Sequence, residues 1–466
     1  MNKKKVIAFG LSLVLILTAF SGCGKPKENA KANELKAGLD FGGKEIKLVY
    51  PPGYDMLNTD GKNAVLVKRD AKIKETAQKY NCTVKQKEGK GNYWDVMANS
   101  IAAGAPEGHV MVTQANRLVD WVNAGAIADL APAMAETGID FTDPKYAQVT
   151  RKYSNFNGKQ YGFTDATPYP SGEILVFNKR IFNEMQLEDP YQLMKDKKWT
   201  WDKVHELATK ATKRTPDGNV TQWGFGSWMH MAFLLTFANS NGGGISNFNA
   251  ETGEPELTLT KPESQKAFEL MYQWTSKEKI ARVNNGSQSW DTVMTEFIAG
   301  NIAILESTPK VLQFAQEKVM KDDYGVAYLP MGPDVKEYTG NIVLAETYFI
   351  PVTYQDMTTQ LILFMDETFT LPEGEDLKQR IAERNMPRLR DTESLEVLTD
   401  MTLNNKNYIF DIYNMTGLDW TSPSIADICV AVMNGKSTPS EEIEKNKDKF
   451  VISMKDKMAG LKFTGK

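Results

Sequence analysis

Between residues 44 and 113, short apolar runs alternate with stretches of helical periodicity, and this alternation constrains the fold more than any other feature. Residues 44–50 (KEIKLVY) set Ile46, Leu48 and Tyr50 on one face, the two-residue period of a strand. Pro51, Pro52 and Gly53 end that strand and put Tyr54 on the loop that follows. A helical stretch over 68–80 leads to a second strand near 82–85. Residues 93–103 read as a helix, stopped by Gly104, Ala105 and Pro106; residues 109–113 (HVMVT) are then an apolar strand. Leu118, Trp121 and Val122 carry the next helix. Strand and helix in this order predict an α/β fold with a mostly parallel sheet.

The pattern continues beyond residue 150. Asn157 and Gly158 separate two short runs, 153–156 and 160–163, and mark a hairpin. Residues 174–178 (ILVFN), 302–305 and 324–329 read as strands. Thr200 is placed to cap a helix over 201–212, with Asp202 favourable in its first turn. Thr260 and Glu263 have capping-box spacing ahead of a helix whose Ala267, Leu270, Met271 and Trp274 form a core stripe. Met294, Phe297 and Ile298 form another helix face. Trp94 and Trp290 sit on amphipathic stretches and read as core. Beyond Thr353 the chain turns mainly helical; Ile425, Ile428, Cys429 and Val432 lie on one helix face, and Thr438 and Pro439 start a last helix.

Composition excludes several chemistries. The chain has 466 residues, enough for two or three domains. A net charge of −4 gives no bulk attraction for nucleic acid. The three histidines (His109, His205 and His230) and three cysteines form no cluster with metal-ligand spacing, so no metal and no cofactor are expected. Cys82 and Cys429 read as free thiols. No HExxH, GxSxG or P-loop string occurs, and no catalytic residue is assigned. The 9 Trp, 17 Tyr and 21 Phe leave rings to spare for stacking on a ligand.

Lys3, Lys4 and Lys5 precede an apolar run over 6–20, too short to span a membrane but right for the core of a signal peptide. Ser21, Gly22 and Cys23 follow, and the segment resembles a bacterial lipobox, which implies cleavage after residue 22 and diacylglyceryl transfer to Cys23. Residues 1–22 are thus expected to be a lipoprotein signal peptide. The polar stretch that follows is read as a flexible tether over 23–43. The implied address is the extracellular face of the cell membrane, lipid-anchored.

Five segments then fall in an order that resembles the extracellular solute-binding proteins of bacterial ABC importers, in their sugar-binding branch. They are NGKQYGFTD (157–165), LVFNKRIFNEMQLED (175–189) with WTWDKVHELATKAT (199–212), FIAGNIAILES (297–307), YGVAYLPMGP (324–333) and MNGKSTPSEEIEK (433–445). The resemblance implies a two-lobe periplasmic-binding-protein-like fold of type II, with lobes joined by crossing strands at a hinge and ligand in the cleft. Crossings would lie near 163–166, 327–330 and 345–350. The first lobe would comprise 44–163 plus 328–346, and the second 164–327 plus 347–466, with an insertion over 366–404. The implied partners are a small carbohydrate, ABC permease subunits and the membrane through the lipid, with the protein itself a monomer and not an enzyme.

Loops after strands are where open α/β sheets place ligands. On that basis the expected ligand contacts are Tyr54, Gln114, Asn116, Thr167, Tyr169, Glu173, Trp228, His230, Ser307, Glu346 and Tyr348. Aromatic rings cover the C–H faces of a sugar, while carboxylates and amides bond its hydroxyls. A non-sugar solute (peptide, polyamine or anionic sugar derivative), a surface glycosidase and a ligand-presenting sensor lobe are the competing readings.

Overall fold

The computed structural model describes residues 29–52, 57, 64–141, 154–164, 172–342, 346–369, 376–404, 408–419 and 422–465. Nine strands build its two main sheets: β1 (Glu45–Tyr50), β2 (Thr83–Glu88), β3 (Val110–Gln114), β4 (Ile174–Asn178), β5 (Val220–Ser227), β6 (Ala281–Val283), β7 (Ile302–Ser307), β8 (Tyr324–Ala327) and β9 (Glu346–Phe349). The first sheet has the order β9-β3-β1-β2, and the second β6-β5-β7-β4-β8 with the short strand Lys213–Arg214 paired to β5. The alternation read over 44–113 thus forms the first sheet. There β1 pairs in parallel with both neighbours, and β9 returns antiparallel to β3. In the second sheet β5, β6 and β7 run parallel, whereas β4 opposes β7 and β8.

Central strands such as β3, β4 and β7 are apolar runs because helices cover both faces, so all their residues are buried. β2 lies at the sheet edge; its alternate exposure lets it carry Lys85 and Lys87. Each lobe has its own core. Phe41, Ile46, Leu48, Val112 and Phe364 belong to the first, and Leu175, Val176, Phe225, Phe237 and Trp274 to the second. A third apolar cluster joins the lobes: Trp121 and Phe349 come from the first lobe, Phe248, Met458 and Leu461 from the other side, and Phe156 from the hairpin. Phe248 stacks on Phe463 at 4.7 Å, and Phe156 meets Phe248 edge-on at 6.1 Å. The hairpin around Asn157 and Gly158 forms as read, and Asn157 bonds the chain end through Gly460 and Lys462.

Several expectations are corrected. Residues 30–43 do not form a tether. Asn29 caps a helix, Ala30–Ala37, whose Ala32 and the following Phe41 are buried. Lys36 clamps this helix through Asp366 at 2.7 Å and Glu367 at 3.0 Å. The stretch 327–330 does not cross. Met331 pairs with Trp199 and Trp201, and 331–342 runs on along the second lobe. Conversely, β9 and the helix Thr358–Phe369 pack in the first lobe, because their apolar residues complete its sheet and core. Hence 328–342 belongs with the second sheet and 347–369 with the first, the reverse of the expected assignment, while Glu346 lies in the first sheet as expected. The insertion divides likewise: Leu377–Asn385 packs on the first-lobe helix Ala64–Lys79, and Thr392–Leu403 on β8. Thr260 does not cap its helix, which starts at Pro262 after Lys261. Trp290 is 40% exposed, lying beneath Lys310 at 4.9 Å.

Candidate functional site

The strand ends that face one another are fixed by topology. β5, β6, β7 and β8 all finish at the edge of the second sheet where antiparallel β4 begins. β1, β2 and β3 finish at the edge of the first sheet where β9 begins. Ile342, bonded beside the second lobe, and Glu346, the first residue of β9, are four residues apart; a chain that short spans at most about 15 Å. The two edges therefore flank one cleft.

At the second-lobe edge, strand register gathers two carboxyls. Glu306 lies opposite both Leu175 and Ser227, and Glu173 stands two residues before Leu175. Side chains alternate along a strand, so both acids project from one face. The helix His230–Ser240, buried along its whole length, covers that face. Glu306 accepts from the Ser227 hydroxyl at 2.6 Å and from Thr236 at 3.1 Å. Glu173 accepts from the Trp228 indole N–H at 3.3 Å, and its backbone N–H donates to Asn341 at 2.8 Å. Gly172 makes this approach possible, since a Cβ there would sit 2.0 Å from the Asn341 carbonyl oxygen. Glu173 is 1% exposed and Glu306 0%, and the second carboxyl oxygen of Glu173 has no hydrogen-bond partner among the described residues.

Charge is expensive in this corner. Burial, and then the neighbouring Glu306, push the Glu173 carboxyl well above the carboxylate range. Burial pushes Glu306 up to about 8, against the pull of Ser227 and Thr236. Among the described residues neither acid has a Lys or Arg partner, so at neutral pH the pair keeps a proton. His230 opens the covering helix. It is 1% exposed, its Nδ1 donates to the Asn284 carbonyl at 3.1 Å, and burial holds it neutral.

The first-lobe edge is backed by aromatic rings by contrast. Gln114 ends β3 opposite Glu346, and is 8% exposed. Thr347 is buried beside it. Tyr348 stacks on Phe163 at 5.7 Å, meets Tyr50 edge-on at 6.4 Å and lies 4.7 Å from Phe369.

The structure thus brings Glu173, Trp228, His230 and Ser307 to one strand edge, and Gln114, Glu346 and Tyr348 to the other. Tyr348 packs inside the aromatic core, between Phe163, Tyr50 and Phe369. Ser307 is buried on the sheet face opposite Glu306. Asn116 opens the helix Ala115–Asn123. Tyr54, Thr167, Tyr169 and the lipidation residue Cys23 lie outside the described residues. Sequence reading missed Glu306, Ser227, Thr236 and Asn341. The available signal was a charge closing an otherwise apolar strand, IAILES. Among the described residues, no three His, Cys, Asp or Glu side chains are grouped to hold a metal, and no helix is long and apolar enough to cross a membrane. Cys82 and Cys429 are free thiols.

Comparison with known proteins gives the same architecture. Among solved structures, an ABC substrate-binding protein of Listeria monocytogenes in complex with cycloalternan is similar at 19% identity and a TM-score of 0.60, covering 88% of this chain and 99% of its own. A cyclo/maltodextrin-binding protein complexed with maltotetraose is 18% identical with a TM-score of 0.61, covering 90% and 98%. UgpB of Mycobacterium tuberculosis, in complex with glycerophosphocholine, is 16% identical with a TM-score of 0.59, covering 89% and 99%. No curated protein matches in sequence. The family described as bacterial extracellular solute-binding protein matches residues 64–357, well over half of the chain, and the chain belongs to that family.

Proposed function

We propose that this protein captures a sugar or oligosaccharide between its two lobes and delivers it to the permease of an ABC importer. The observation that carries the reading is the corner at the second-lobe edge, where a half-buried indole stands beside a carboxyl. That pairing suits a solute with C–H faces and hydroxyl donors. The oligosaccharides in the Listeria and maltodextrin-binding relatives agree with it. An anionic solute such as a glycerophosphodiester fits this end less well, because two buried acids without a basic partner oppose it. A ligand touching both lobes favours the closed state by its differential affinity, and no bond of the solute is broken.

We further infer that Cys23 carries the lipid that holds the protein at the outer face of the membrane. The lobe division proposed here follows the sheets: 29–141 with 346–385 on one side, and 172–342 with 391–457 on the other.

A thermal-shift screen against a carbohydrate panel tests the ligand class. A sugar at 100 times its dissociation constant stabilises by about 2.7 kcal/mol. Stabilisation by peptides or polyamines but by no sugar overturns the assignment. Chromatography of the incubated sugar checks that it returns unchanged; a hydrolysed product supports the glycosidase reading instead. Substituting Cys23→Ala tests the anchor, and the variant is expected in the medium rather than in the membrane fraction.

A further inference from the structure

The second-lobe corner contains more than a ligand contact. Trp228 is tied at both ends of the acid pair: its indole N–H donates to Glu173 at 3.3 Å, and its backbone N–H donates to the Glu306 carbonyl oxygen at 3.2 Å. Glu306 in turn is fixed by Ser227, the residue before Trp228, and by Thr236 of the covering helix. The second oxygen of Glu173 has no hydrogen-bond partner among the described residues, so the indole is the carboxyl's one side-chain hydrogen bond there. We propose that Glu173, backed by Glu306, is a positioning residue for Trp228, gripping the indole N–H so that the ring's attitude at the cleft changes when the acid pair gives up its proton to solvent. The proposal rests on the reading of Trp228 as a ligand-facing ring, and assigns that site a pH response.

The groups around the pair leave it no other compensation. From the covering helix come His230, held neutral by burial, and Thr236. From the strand Asn341–Ile342 comes the amide of Asn341. From the turn near 411–419, Tyr413 feels the charges of Glu173, Asp411 and Asp419; from the helix Ile425–Met433, Asp427 acts on His230 through its charge. Among the described residues the charges named here, Asp411, Asp419 and Asp427, are all acidic, and an acidic neighbour disfavours a further negative charge. Below neutral pH both acids hold their protons, and the indole has a steady acceptor. As pH rises past about 8, where Glu306 titrates, a buried negative charge appears beside Glu173, and the corner around Trp228 rearranges as the pair gives up its protons.

The test reads tryptophan emission of the purified, ligand-free protein between pH 5.5 and 9. Wild type is expected to show one sigmoidal transition at or above neutral pH. Trp228→Phe is expected to remove it, because the reporting ring is gone. Glu173→Gln is expected to remove it too while keeping the low-pH spectrum of wild type, because the amide oxygen still accepts the indole N–H but cannot ionise. A flat wild-type profile, or a transition that survives in Trp228→Phe, overturns the proposal. A second arm measures affinity for the most stabilising sugar of the panel, which is expected to fall by up to about tenfold per pH unit above the transition in wild type and to stay level in Glu173→Gln. Equal pH dependence in both proteins overturns the coupling to binding. If no panel sugar binds, the ligand class fails on that screen, and the ligand-free titration still decides the role of Glu173.

Discussion

The two sides of the cleft close their sheets by opposite means. The first lobe backs its strand edge with rings, Tyr348 lying among Phe163, Tyr50 and Phe369 in the core. The second buries two acids under a helix and offsets them with hydroxyls and an indole. Ring packing gives stability that hardly changes with pH below the range where tyrosines ionise, at about 10. Buried carboxyls give stability that depends on pH and on the proton they retain. One wall of the cleft is thus rigid by construction, and the other is adjustable.

The comparison breaks most readily at Tyr348. Replacing it with Ala is expected to cost about 3–5 kcal/mol, as for other large buried rings, read as a lower denaturant midpoint. A loss below about 1 kcal/mol would show that the rings are not what holds this edge. Next in size is Lys36→Ala, which strips Asp366 and Glu367 of their shared cation. A loss of about 2 kcal/mol is expected, and an unchanged midpoint would return the helix Ala30–Ala37 to the status of a loose arm.

The second lobe is sharpened by pH. The folded Glu306 carboxyl titrates near 8, against an ordinary value of 4.5, so between those limits the folded protein binds more protons than the unfolded chain. Stability therefore falls as pH rises through this window. Glu306→Gln is expected to flatten that fall by about 1 kcal/mol per pH unit, measured as melting temperature against pH, while Tyr348→Ala leaves its slope untouched. The smallest effect belongs to the capping box of the last helix, where Thr438 and Glu441 satisfy each other's backbone N–H groups. Thr438→Ala is expected to cost about 1 kcal/mol in equilibrium unfolding, without altering the pH slope.

What the sequence made legible follows the same division. Strands buried on both faces, β3, β4 and β7, are apolar runs that announce themselves, and the helix caps at Thr200 and Thr438 rest on residues in immediate succession. The helix Ala30–Ala37 was illegible because it has almost no apolar face; what docks it is Lys36 meeting an acid 330 positions away. The path of 327–350 was misread because apolar strands such as β8 and β9 fit either sheet, and only pairing partners decide. Glu173 is singled out by its place after a crossing, whereas Glu306, a lone charge at a strand end, reads as solvated until the neighbouring strand supplies Ser227. Ligand candidates on the first lobe were the least legible, Tyr348 proving to be packing.

The apolar seam of Phe156, Phe248, Phe463, Trp121 and Phe349 bears on how the jaws move. Stacked rings resist sliding past one another, because each lateral step would expose grease to solvent, but they tolerate small rolling displacements. If the proposed capture closes the lobes, this seam is where their rotation is expected to centre, since rolling keeps its grease covered while sliding does not.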